Sequence, residues 1–386
     1  MMKNKLLNSL ILTALAAPGL AMAADAAPAA PTLSSVLDAS GVSITGDIDF
    51  SYSHLSSNGL FTSGVNNRVF DYAAPNSFTM QQVDLAIAKL PTEGFGGKVE
   101  TILGKDASTI ASYGTQMVGP SPKIPTNMQT YDLTQAFGQY ATGNWTTIAG
   151  KFATMAGAEV IEASANTNYS RSILFGYAIP FTHTGVRTTY KVSDAVSLTG
   201  GVNTGWDQAV DANAQKTVEL AAVLNPTKSF ALTADVYTGA EAVSYAAGSA
   251  TGTRNLLDLV GTYTVTDSLN FVLNYDNGSQ QNATLANGST GTAKWSGLAA
   301  YANYQINDPW RVSARAETFK DADGYRTGVA QTWKEATVTV GYAVSKNTEL
   351  RGEVRKDFSD VASFAYSDGI ARKGQNSVAM EAVYKF

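Results

Sequence analysis

His54 and His183 are the only imidazoles in a chain of 386 residues, and cysteine is absent. Without cysteine there is no thiolate nucleophile, thiolate zinc site, iron–sulfur cluster or disulfide scaffold. A hydrolase needs a nucleophile, a base and an orienting group converging on one point. No serine partner for either histidine is legible in the sequence. His54 falls in the first long connection and His183 at the start of a strand, so each reads as a hydrogen-bonding histidine. Asp47 and Asp49, two apart on one strand face, have the spacing of a carboxylate dyad, yet a water-facing strand carries such acids anyway. Asp321-Ala322-Asp323-Gly324 offers calcium-type oxygens without the remaining ligands of an EF-hand. The glycines follow no phosphate-cradling pattern, and Gly94-Phe95-Gly96-Gly97 reads as a turn. No catalytic residue, cofactor or metal is expected. With 27 Lys+Arg against 32 Asp+Glu, a nucleic-acid partner is not expected either.

The charges that do form a pattern recur at every second residue. Arg311, Ser313, Arg315 and Glu317 alternate with Val312, Ala314 and Ala316, and Glu349, Arg351, Glu353 and Arg355 alternate with Leu350, Gly352 and Val354. Period two is the signature of strands with one face for oil and one for water. It opens at Val42, Ile44, Gly46, Ile48, Phe50 and Tyr52 against Ser43, Thr45, Asp47, Asp49 and Ser51, and it hardly stops thereafter. Sixteen strands are predicted, at 42–53, 78–90, 97–105, 131–141, 144–153, 183–192, 195–204, 216–224, 229–238, 254–264, 268–276, 292–304, 309–318, 331–343, 347–357 and 376–386. Their connections alternate. Short turns such as Thr142-Gly143, Ser193-Asp194 and Ser345-Lys346 trade places with long stretches at 54–77, 106–130, 154–182, 205–215, 239–253, 277–291, 319–330 and 358–375. All eleven prolines fall in the N-terminal stretch, in connections or at a strand's first residue, where a missing ladder donor does no harm.

Residues 1–23 read as a secretory signal peptide: Lys3 and Lys5, an apolar run from Leu6 to Ala17, a Pro18-Gly19 break and Ala21-Met22-Ala23 before the cut. The run is shorter than the roughly 20 residues a helical span needs. Residues 24–41 are an Ala/Pro linker and a short helix around Leu33, Val36 and Leu37, closed by Gly41. Residues 42–386 are then the folded unit. With no later long apolar run, a membrane location leaves only a closed barrel, in which neighbouring strands satisfy every backbone polar group. An even strand count with short turns on one rim and long loops on the other matches a transmembrane antiparallel up-and-down β-barrel of a Gram-negative outer membrane. Aromatics near strand ends on the apolar parity, among them Tyr190, Tyr263, Tyr304 and Tyr342, suit its interfacial girdles. A secreted soluble β-protein would need a bulkier apolar face.

The final strand, Val378, Met380, Ala382, Tyr384 and Phe386, resembles the C-terminal signature of outer-membrane barrels. That resemblance implies recognition by the barrel-assembly machinery. Residues 166–187 (Asn-Thr-Asn-Tyr-Ser-Arg-Ser-Ile-Leu-Phe-Gly-Tyr-Ala-Ile-Pro-Phe-Thr-His-Thr-Gly-Val-Arg), with the opening Val42–Tyr52 strand, resemble the OmpL-like β-barrel porin-2 family. The resemblance implies a passive channel for small hydrophilic solutes and ions, a homotrimer in outer-membrane lipid, and no catalytic residue to carry over.

The longest connection, 154–182, is the third long loop, which in general porins folds into the lumen. It carries Glu159 and Glu162 in a stretch, 156–165, that reads as a short helix, with Arg171 beyond it. Arg187, Arg311, Arg315, Arg351 and Arg355 have lumen parity, as do Glu317 and Glu353. Two readings stand side by side. Loop acids facing wall arginines would set a transverse field across the pore. Alternatively Glu349, Arg351, Glu353 and Arg355 pair with Arg311, Arg315 and Glu317 on neighbouring strands and merely brace the wall. Tyr169–Ile179 also alternates. As a strand it would allow eighteen strands and a substrate-selective channel, and a plugged or adhesive barrel is a further alternative.

Overall fold

The computed structural model describes residues 31–57, 76–110, 130–211, 213–242 and 250–386. The expected signal peptide lies outside them, as does the linker up to residue 30. Leu33–Ser40 forms a helix, α1, in a unit separate from residues 41–386.

Sixteen antiparallel strands close a barrel: β1 (Ser43–Leu55), β2 (Ser77–Lys89), β3 (Gly94–Leu103), β4 (Tyr131–Thr142), β5 (Trp145–Ala153), β6 (Thr182–Lys191), β7 (Val196–Asn203), β8 (Thr217–Thr227), β9 (Phe230–Ala242), β10 (Thr251–Thr266), β11 (Leu269–Thr284), β12 (Thr290–Gln305), β13 (Trp310–Asp321), β14 (Gln331–Ala343), β15 (Thr348–Ser359) and, after a two-stranded hairpin β16 (Phe364–Ala365) with β17 (Ala371–Arg372), β18 (Gly374–Lys385). Each strand pairs with its neighbour in sequence, and β1 pairs with β18 to remove the free edges. Phe386 adds a reciprocal pair to Gly46, its N–H donating at 3.0 Å and its carbonyl accepting at 3.1 Å. Glycine is required there, because a Cβ on Gly46 would stand 2.2 Å from the Asp84 carbonyl oxygen on β2 and 2.7 Å from the tip of the Phe386 ring.

The alternation predicts which way each residue faces, and burial supplies the sign. Leu273 is 54% exposed while Asp276 is fully buried, and Val354 is 55% exposed while its neighbour Arg355 is 2% exposed. Oil faces out and charge faces in, the reverse of a soluble protein and the arrangement a bilayer demands. Outward aromatics meet across strands near the short-turn rim: Phe95 with Tyr140, Trp145 with Tyr190 and Trp310 with Tyr342, their ring centroids 4.4–4.8 Å apart.

Several local expectations need correction. Gly94–Gly97 begins β3 rather than forming a turn; the turn is 90–93, where Pro91 cannot donate to a ladder. The connection predicted at 277–291 is mostly strand, because polar Asn277–Thr284 continues the ladder to β12 and leaves only 285–289 between them. Pro226 lies inside β8, at the register shift between Leu224 and Thr227, where no ladder donor is required. Residues 156–165 make a single 3-10 turn at Ala163–Ala165 instead of a helix. Tyr169–Ile179 adds no strand; Ile173–Tyr177 is one turn of helix. A second short helix, Ala107–Ile110, precedes it in the chain, so Ile173–Tyr177 is α3 and Ala107–Ile110 is α2.

Candidate functional site: the inserted connection and its arginine wall

The chain leaves β5 and re-enters β6 at a neck closed by Thr154 N–H donating to Phe181 O at 2.9 Å. Much of the segment between is fastened to lumen-facing side chains and the rest to its own polar groups, because an irregular segment inside a barrel has no ladder to satisfy its backbone. Gly157 N–H donates to Asp258, Ala163 N–H to Gln82 and Ser164 N–H to Asp47, at 2.9–3.1 Å. Tyr169 N–H donates to Glu353 at 2.8 Å. At the start of α3, Ile173 N–H and Leu174 N–H both donate to the Glu317 carboxylate, at 2.6 and 3.1 Å, and Ser172 Oγ accepts from Phe175 N–H at 3.0 Å. The orphan donors of that helical turn are thereby met by a strand residue and a capping serine.

The arginines complete the fastening. Arg315 donates to Glu335 at 2.8 Å, to Glu159 at 2.7 Å and to Ser170 O at 2.6 Å. Arg355 donates to Asp357 at 2.7 Å and to Arg171 O at 2.8 Å. Arg351 bridges Glu349 and Glu381 at 2.7 and 3.1 Å and touches Ala163 O at 3.3 Å. Arg311 reaches Glu349 at 2.5 Å and Thr167 O at 2.7 Å. Arg171 folds back on its own segment, onto Val160 O and Ile161 O at 3.1 and 2.7 Å. Arg187 stands apart: it pairs with Glu219 and lies over the Phe152 ring at 4.3 Å. Glu162 sits beside Glu100, and burial with that neighbouring charge pushes its carboxyl up to about 7.

The predicted residues thus come together except Arg187 and Glu162, whose carboxyl faces Glu100 and Lys98, and as a brace more than as a bare field. The expected ladder between neighbouring strands is corrected in one respect. β14 lies between β13 and β15, so the Arg311–Glu349 pair spans it at Gly341, in register with both Arg311 and Arg351. A Cβ there would stand 2.4 Å from the Glu349 carboxylate and 2.8 Å from Arg311 Nε. On β14, Glu335 and Thr337 accept from Arg315, and Thr339 Oγ1 accepts from Asn168 and donates to Glu353, partners that the sequence reading did not single out.

Also missed is a dry core inside the barrel. Ile173, Leu174, Phe175, Tyr177 and Ile179 pack with lumen-facing Tyr237, Trp295, Tyr301, Phe319 and Trp333. Tyr177 meets Trp333 edge-on at 5.1 Å, and Trp295 Nε1–H donates to Ala178 O at 3.0 Å. Arg326 lies over Trp206 and Trp295 at 5.6 and 5.3 Å. The available signal was parity: Phe319 and Trp333 stand on the charged face of their strands. Toward the short-turn rim, lumen-facing Thr189, Thr233, Asn270 and Asn303 are only half-buried. Of the histidines, His54 lies in β1 opposite Val378 rather than in the first long connection and contacts Asn76, and His183 stacks on Tyr237 at 5.0 Å and meets Gly205 O.

A closed sixteen-strand barrel, apolar outside and charged inside, with a long connection turned onto its inner wall, is an outer-membrane barrel of the porin class. The chain belongs to the family described as putative beta-barrel porin-2, OmpL-like, which matches residues 41–386. Among solved structures it resembles the outer membrane channel DcaP of Acinetobacter baumannii, with a TM-score of 0.60 and 15% identity over 89% of this chain and 97% of that one. OmpT of Vibrio cholerae in its trimer form gives 0.59 and 15% over 89% and 99%. The anion-selective porin from Comamonas acidovorans gives 0.59 and 10% over the same shares. At these identities the likeness is one of fold. No curated protein matches the chain in sequence.

Proposed function

We propose that this protein is a passive outer-membrane channel for small hydrophilic solutes and ions, a homotrimer exported by a signal peptide cut near Ala23. The supporting observation is the inverted burial: carboxylates, guanidiniums and amides line a closed lumen, while Leu, Val and aromatic side chains face outward. Such a lumen offers passing solutes hydrogen-bonding partners in place of water, and no step of the passage needs a catalyst. The family and fold speak for a channel rather than an enzyme. Residues 154–181 form the constriction, with Glu159, Glu162 and Arg171 on the inserted segment and Arg311, Arg315, Glu317, Arg351, Glu353 and Arg355 on the wall. Arg187 faces the lumen on a separate stretch of wall. Most of these charges hold the segment in place, and solute meets those at its edges.

A plugged barrel is the second reading, favoured by the dry core between α3 and the aromatic wall. Single-channel recording of the purified protein in a planar bilayer separates the two. Stable conductance, in steps of three for a trimer, is expected. Folded, heat-modifiable protein that gives no steps would establish the plugged barrel instead.

A further inference from the structure

On the short-turn rim, residues 164–167 and the β14–β15 turn line an open cavity of about 290 Å³. That is near the lower end for small-molecule sites, roughly 300 to 1,000 Å³. Its lining includes four cations, Arg311, Arg351, Lys346 and Lys385, and one carboxylate, Glu349. Glu349 already accepts from both arginines. Behind the lining, Glu381 takes Arg351, and Asp47 takes the N–H of Ser164. Asp49 also faces Arg351, so the acids behind the lining balance the charge as a whole, while within the lining itself the cations outnumber the carboxylate four to one. Lys346 and Lys385 are exposed and form no ion pair among the described residues. Lys385 stands opposite Asp47 in the ladder, hence on the lumen face and away from lipid. The guanidinium of Arg311 is held by two bonds to Glu349, one to Thr167 O and one to Ser313 Oγ, so its orientation is set before any ligand arrives and one N–H is left to offer.

We propose that this cavity is an anion subsite, taking a small free solute that carries carboxylate or phosphate oxygens as it crosses the short-turn, periplasmic rim. The proposal rests on the channel reading above. Two exposed ammonium groups gather the anion, and the remaining donor of the fixed guanidinium receives it. Both act in a site open enough to release it again, as transit requires.

The test uses the full-length protein, titrated by calorimetry with succinate and with inorganic phosphate, and recorded in bilayers with the same anions added to one side. The companion is the double variant Lys346→Gln plus Lys385→Gln, at two exposed positions, checked for folding by heat-modifiable migration. Binding of either anion by the native protein, weakened about tenfold in the variant, is expected; which anion binds selects the carboxylate or the phosphate class. A native protein that conducts chloride salts but binds neither anion, or binds equally in the variant, overturns the subsite and leaves the channel standing. Anion binding lost in the variant, in protein that conducts nothing, upholds the subsite and overturns the channel.

Discussion

Arg315 is 2% exposed, and its donors are divided among Glu335, Glu159 and the backbone of Ser170. Stripping one partner from a buried pair of this kind costs on the order of 3–5 kcal/mol, because the other charge is left without a counter-ion. Glu162 is the opposite case, an acid among acids. Its carboxyl is held up at about 7 by burial first and by Glu100 second, with Lys98 opposing. A carboxyl raised in the folded protein favours its protonated form. Its contribution to stability is complete below the ordinary 4.5 and is lost as pH rises through about 7. Native protein should therefore hold the 154–181 segment more firmly at acid than at alkaline pH, seen as quieter single-channel current at about pH 5 than at pH 8. Glu162→Gln, neutral throughout, should stay quiet across that range. Noise that tracks pH equally in both proteins would clear Glu162 of the effect.

The short helix α3 depends on a strand residue that has no side chain. A Cβ on Gly297 of β12 would lie 2.6 Å from Leu174 Cδ1, so the wall is hollowed where the helix docks. Gly297→Val should force the segment from its seat at a cost of about 1–3 kcal/mol, typical of overpacking. Because the displaced element is a loop, the barrel's heat-modifiable migration should persist while conductance changes; unaltered current would mean α3 does not touch the path. Gly297 and Gly341 also explain what the sequence leaves illegible. Alternation reveals strand, face and rim, since each is a local consequence of side chains pointing to opposite sides. Arg315 and Glu317 have lumen parity for the same reason. Their partners Glu159, Ser170 and Ile173 lie more than a hundred residues away, across the lumen, and no periodicity links them. The 3-10 turn at Ala163–Ala165 escapes notice likewise: its geometry follows from Gln82 and Asp47 holding the N–H groups of Ala163 and Ser164.

At the scale of the molecule, the barrel and its contents are separable. All sixteen ladders pair strand to strand without using residues 156–178, and the neck at Thr154 and Phe181 already brings the ends of that segment together. Loop closure over a shorter link costs little, since its entropy grows only with the logarithm of length. Replacing residues 156–178 by a short Gly/Ser link removes the apolar face of the inner core and leaves Arg315, Arg351 and Arg355 to water and to their strand carboxylates Glu335, Glu349, Glu381 and Asp357. Those ion pairs lie within the wall, so the arginines keep counter-charges when the segment is gone. The shortened protein should still reach the outer membrane, migrate as a heat-modifiable barrel and conduct several-fold more current than the native channel. Equal conductance would show that the segment does not limit flow. Failure to form a barrel would show that the dry core, and not the closed ladder alone, carries the fold.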